Sequence, residues 1–224
     1  MALVMVGTML GLGTWQLQRL EWKNALIERI ETGMAASPVP MPEKLAEPAA
    51  WEFRRVTLAG HFLFDRELLV GPRTHEGKPG QHMYVPFRRA SGGIVFVNRG
   101  WIPDGAKKEA VRPSGILQVE GIVRLPEHNV FTPENRPDSG AWYWPDIPAM
   151  GKSAKLENVA PVIVEALGGA PGAYPLAEAR AANIRNEHRQ YAIFWFGMAF
   201  VMMAVYILAS LGPREKLEEK NASL

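Results

Sequence analysis

The chain has 224 residues, 25 of them basic and 23 acidic, a net charge of +2 and no cysteine. That balance argues against bulk nucleic-acid binding, and the missing thiol excludes disulfides, thiol catalysis, zinc–cysteine sites and covalent c-type haem attachment. A mean hydropathy of −0.09 averages over two apolar ends and a polar middle, and the length leaves room for one modest domain plus membrane segments.

The first apolar run, MALVMVGTMLGLGTWQ, carries no basic n-region and no small-residue cleavage site, so it does not read as a signal peptide. It continues as QLQRLEWKNALIERI, with apolar Leu17, Leu20, Ala25, Leu26 and Ile30 at helical spacing. The expectation is one helix that leaves the membrane over residues 1–18 and extends through 19–34. The apolar part is short for a span, which leaves its start at the terminus or upstream. Gly7, Gly11 and Gly13 offer a small-residue face for a second helix.

Residues 35–50 hold four prolines and read as a linker. Strand-like runs follow at 51–59, 62–70, 82–87, 94–97, 116–125 and 159–166, separated by turn signals such as Gly60-His61 and Ser91-Gly92-Gly93. A short helix is expected over 149–156 and a loop over 168–180. Strands at this spacing predict an antiparallel barrel or sandwich. Next comes a polar cluster at 185–190, then 21 uncharged residues, Tyr191 to Leu211; about 20 suffice to cross a bilayer as a helix. Residues 212–224 form a tail.

The predicted fold class is therefore an α+β membrane protein, with two transmembrane helices flanking an antiparallel β-rich extramembrane domain at 51–184. Basic residues near the spans are Arg19, Lys23, Arg29, Arg180, Arg185 and Arg189 on the domain side, against Arg214, Lys216 and Lys220 in the tail. A simple positive-inside count puts the domain in the cytoplasm, but long domains translocate largely regardless of charge, so both orientations stay open.

Catalytic signatures fail one by one. Gly151-Lys152-Ser153 lacks the first glycine of a phosphate loop, because Asp146 stands there. Gly11-Leu12-Gly13 lies in an apolar helix, with Gln16 where a third glycine belongs. His75-Glu76 runs into Gly77-Lys78-Pro79, a loop. There is no G-x-S-x-G or H-E-x-x-H motif. The reading is a non-enzyme, with a membrane-anchored hydrolase as a weaker rival.

Four segments occur in an order that resembles one family: GTWQLQRLEWKNALI (13–27), Gly71-Pro72-Arg73, the 82–87 strand leading to Val97-Asn98-Arg99-Gly100-Trp101-Ile102-Pro103, and RNEHRQYAIFWFGMA (185–199). Together they are similar to the surfeit locus protein (Shy-type) family of cytochrome c oxidase assembly factors. The resemblance implies two spans in the bacterial inner membrane, or the mitochondrial one, with the middle domain on the periplasmic or intermembrane-space side. It implies as partners the lipid bilayer, the oxidase core subunit and haem a synthase, and as transient cofactor haem a. The suspected axial ligand is the histidine at the entry to the second helix, His188.

The chemistry suits that role. Haem a carries a long isoprenoid tail, so a carrier binds it at the membrane boundary, and an imidazole supplies an axial ligand. Arg185 and Arg189, four apart on a helix face with His188 beside Arg185, match propionates or a partner's carboxylates. Phe194 and Trp195 are candidates to line a haem pocket. No metal site other than the haem iron is expected. Against this stands an ordinary boundary, where arginines snorkel and Trp15, Trp22 and Trp195 anchor the interfaces. The corresponding alternative function is a scaffold that stabilises an oxidase assembly intermediate without touching haem. His61, His75, His82 and His128 read as surface or strand residues. Met198, Met202 and Met203 read as packing. Asn98–Trp101 reads as a turn with Trp101 capping a core, and Arg73 and Arg99 as structural or partner-facing residues.

Overall fold

The computed structural model describes residues 1–169, 172–177 and 186–211. It divides into two compact units, Arg29–Ala182 and Met1–Glu28 with Asn183–Leu224.

The first unit is a barrel. Its strands are β1 (Val39–Pro40), β2 (Arg55–Phe62), β3 (Leu68–His75), β4 (Lys78–Arg89), β5 (Ile94–Pro103), β6 (Leu117–Arg124) and β7 (Val159–Ala166), with helix α2 (Ile147–Ser153) between the last two. The sheet order is β1-β2-β6-β7-β5-β4-β3, and a further β2–β4 pairing closes five strands on themselves. Closure happens at Gly60↔Arg89, His61↔Arg88 and Phe62↔Phe87. Any side chain at position 60 would collide with the Arg88 carbonyl, so this seam requires glycine.

Alternation explains the interior. Val56 and Leu58 on β2, Val95 and Val97 on β5, and Val162 and Val164 on β7 sit two apart and share one buried cluster with Phe87 and Val123. The intervening Phe96 and Ile163 join a second cluster with Val70, Tyr84, Trp142 and α2's Ile147 and Met150. Strands β5 and β7 are thus covered on both faces, which is why they read as continuous apolar runs. Helix α2 starts where Asp146 accepts from the Ala149 amide at 3.0 Å, a side-chain cap with Pro148 in the first turn.

Several expectations need correction. The sheet is not purely antiparallel: β5 pairs with β7, and β1 with β2, in parallel. The crossover from β5 through β6 and α2 to β7 is long enough to reverse direction. Gly60-His61 is not a break but the end of β2, and the turn falls later, in a short 3₁₀ segment at Phe64–Arg66. Asn98–Trp101 is no turn; it lies inside β5. The signals are local: the register against β4 slips between His82 and Tyr84, and Asn98 accepts the Gly100 amide through its own Oδ1 at 3.0 Å. Gly100, at φ 118°, makes room for the Leu176 backbone, which exchanges two 2.8 Å hydrogen bonds with Trp101. The capping role does hold: Trp101 is 2% exposed and its indole donates to the Arg73 carbonyl at 3.2 Å. The linker is partly ordered by buried Arg89, which donates to the carbonyls of Pro42 (2.6 Å) and Glu43 (2.8 Å).

The second unit pairs two helices. Helix α1 runs unbroken over Ala2–Ala35, so its last turns belong to the barrel unit; α3 spans His188–Leu211. Among the described residues, α3 alone is long and apolar enough to cross a membrane, with a mean hydropathy of 2.2 and little of its surface buried. Helix α1 is long enough, but Gln16, Gln18 and Arg19 interrupt its apolar stretch, so its composition does not establish the second expected span.

Candidate functional site at the helix seam

The two helices meet along a heptad-like stripe. On α1 the covered positions include Val6, Gly13 and Gln16, with Met9 and Leu20 half-buried; on α3, Ala192 and Ala199 lie one heptad apart. Small residues let the backbones approach. The close approach is at Gly13, where an added Cβ would lie 2.8–3.0 Å from three atoms of the Phe196 ring. Gly7 and Gly11 face nothing within 4 Å and take no part in the seam.

Two polar pairs cross this stripe. Asn186 Nδ2 donates to Asn24 Oδ1 at 2.8 Å. His188 Nδ1 lies 2.7 Å from Gln16 Oε1. Passing from Asn24 through Gln16 to Gly13 on α1 corresponds to passing from Asn186 through His188 to Phe196 on α3, so the helices run antiparallel. Gln16 is 9% exposed, a polar side chain covered at a seam position. Burying an amide costs free energy unless it is hydrogen-bonded, and His188 supplies the partner. The Oδ1 of Asn186 accepts from Asn24 no bond in return and is buried without a donor.

The remaining candidates sit as follows. His188 is half-buried at the first position of α3, and Arg189 beside it is exposed. Arg185 lies outside the described residues. Phe194 is 54% exposed and meets half-buried Trp195 edge-on at 5.5 Å between ring centres. Trp15 and Trp22 are exposed, and Arg19 stacks over Trp22 at 4.6 Å. Sequence reasoning missed Gln16 and Asn24. The signal available was spacing: Gln16 stands three residues from Gly13 and ten from Val6, on the stripe rather than off it.

The barrel holds the other polar features. Arg99 is half-buried, its guanidinium 5.1 Å over both Phe62 and Phe64, and it donates to the Val111 carbonyl at 2.7 Å. Burial, with neighbouring Arg112 adding repulsion, pushes it down to about 10. Arg73 donates to the Tyr143 carbonyl at 3.3 Å. His82 and His128 line a cleft of about 670 Å³ with Arg124, Trp144 and Glu165. Among the described residues no group of three or more His, Cys, Asp or Glu is placed to hold a metal ion.

The described residues thus form a closed mixed barrel and a helix with the length and composition of a membrane span, with a histidine at that helix's first position. The family model described as "SURF1 family" matches residues 3–200. A SURF1-like protein of Monosiga brevicollis is 34% identical over 215 residues, covering 88% of this chain and 81% of that protein. Surfeit locus protein 1 of Mus musculus is 35% identical over 218 residues (88% and 70%), and that of Homo sapiens 34% over 215 (86% and 70%). The chain belongs to the SURF1, or surfeit locus protein, family.

Proposed function

We propose that this chain is a membrane assembly factor for cytochrome c oxidase that holds haem a at His188 and passes it to the oxidase core subunit. Both helices span the membrane in this reading, and the barrel lies on the periplasmic side, or in the intermembrane space of a mitochondrion. Haem a synthase is the natural donor. The protein acts as a carrier, not an enzyme.

One observation carries the proposal: the imidazole at the mouth of the apolar helix is gripped at Nδ1 by Gln16 across the seam, at 2.7 Å. With the amide oxygen facing the ring, Nδ1–H is the donor, and in the neutral imidazole Nε2 then keeps its lone pair. A neutral Nε2 is what an axial ligand requires. The residues therefore fit one-sided ligation of a haem iron. His188 offers Nε2 to the metal, exposed Arg189 offers a guanidinium to a propionate, and exposed Phe194 offers apolar surface to the macrocycle or its tail. The bound group supplies an iron that takes a nitrogen ligand and, after delivery, the oxidase's redox chemistry. One protein ligand rather than two makes the complex releasable.

The test is to express the full chain in cells with and without haem a synthesis, purify it in detergent and record its absorbance. A near-stoichiometric Soret band, present only with haem a synthesis and lost in His188→Ala while the helix content is kept, supports the carrier. A colourless protein that still co-purifies with the oxidase core subunit replaces it with the scaffold reading.

A further inference from the structure

We infer that Gln16 is the positioning residue for His188, and that its being a neutral acceptor tunes the iron bond toward release. The inference rests on the ligand role of His188 and deepens it.

Three features point to Gln16. The residue is covered, at 9% exposure, on a helix face otherwise given to Val6, Met9, Gly13 and Leu20. A leucine there would pack without any polar cost, so the amide is retained against its own burial. Its oxygen meets Nδ1, the ring nitrogen that a ligand through Nε2 leaves over, at a short 2.7 Å. Metal-binding histidines are oriented by just such a bond at their second nitrogen, which fixes the tautomer and raises the basicity of the first.

The type of acceptor sets how far. A carboxylate at this position would make a charge-assisted bond about twice as strong and draw the Nδ1 proton away from the ring. Nε2 would then donate more strongly and bind ferric iron more tightly. A glutamine oxygen orients the ring with less of that push. A protein whose purpose is storage gains from the carboxylate; one that must surrender its cargo gains from the amide. The same contact ties α1 to the ligand, so the site needs both helices, although the ligand lies on α3 alone.

Two substitutions bracket the effect in the full-length, haem-a-loaded protein. Gln16→Glu keeps an acceptor and adds charge; Gln16→Leu keeps volume and removes the acceptor. The readouts are the ferric/ferrous midpoint potential, the iron–histidine stretching band of the ferrous form, and the rate of haem loss to excess apomyoglobin. Gln16→Glu should lower the midpoint, raise the stretching frequency and slow haem loss; Gln16→Leu should move all three the opposite way. Outer-sphere partners of this kind change affinity roughly 10–100-fold. If both variants lose haem equally fast, the pair is only interhelical glue and the inference fails. It also fails if both match the parent in all three readouts. A colourless parent removes the ligand role of His188 and this inference with it, whereas a coloured parent with indistinguishable variants removes this inference alone.

Discussion

Gly13→Ala is the sharpest test of the helix seam. The added methyl would sit 2.8–3.0 Å from three carbons of the Phe196 ring, whereas carbon atoms pack at roughly 3.5–4.0 Å. The ring or the helix must therefore retreat by roughly 0.5–1 Å, and both sit in a stripe where Ala192 and Ala199 are already small. Overpacking of this kind costs about 1–3 kcal/mol. Gly7→Ala and Gly11→Ala add the same methyl into open space, so they serve as controls and gain the better helix propensity of alanine. Combining Gly13→Ala with Phe196→Leu, which shortens the opposing side chain, should recover part of the loss. The expected coupling is about 0.5–2 kcal/mol, as for residues in direct contact. The assay is SDS-driven unfolding in mixed micelles, followed by tryptophan emission. If Gly13→Ala tracks Gly11→Ala, or if the double variant is simply additive, the helices do not meet at this contact.

Three further outcomes concern the barrel, each read as a denaturation midpoint in detergent. Trp101→Phe should cost about 1 kcal/mol, the worth of the lost indole bond to the Arg73 carbonyl, and Trp101→Ala about 3–5 kcal/mol through loss of a large buried ring; no loss in Trp101→Phe would show that packing, not the bond, is felt. Arg89→Leu strips donors from the carbonyls of Pro42 and Glu43, at about 1–3 kcal/mol, and limited proteolysis should cut the 35–50 segment faster, unless other groups hold it. Glu67→Gln weakens a two-pronged pairing with Arg112, at 2.7 and 3.0 Å, whose carboxylate is almost wholly covered. About 1–2 kcal/mol should be lost, less than for a fully buried pair because Arg112 is partly wet; no loss would mean that water substitutes freely.

What the chain disclosed in advance followed its periodicities. Strands β6 and β7 fall where alternation or a continuous apolar run placed them, β2 overlaps its expected run only over 55–59, and α2 begins two residues before the expected 149, at the Asp146 cap. The departures share one cause: a local signal yields where a distant partner decides. Gly60 looks like a break because glycine weakens strands, yet it is demanded by Arg88 across the closing seam. Asn98–Gly100 has turn chemistry, but the backbone of Leu176 turns that chemistry into a bulge inside β5. Parallel pairing of β5 with β7 is invisible in either strand alone. The position of His188 at the start of α3 was legible because the polar-to-apolar boundary there shows directly in the sequence. Gln16 was not, since a glutamine ending an apolar run looks like an exit from the membrane until a second helix is laid against it.

Strand β7 has a consequence for synthesis. It lies between β5 and β6 in the sheet although the ribosome makes it last. Until Ala166 has emerged, the growing polypeptide holds two raw edges and an uncovered row of valines at 95, 97 and 123. Any premature stop before residue 159 therefore yields not a smaller cylinder but an open, sticky half-shell, a substrate for quality-control proteases rather than a weakened version of the protein.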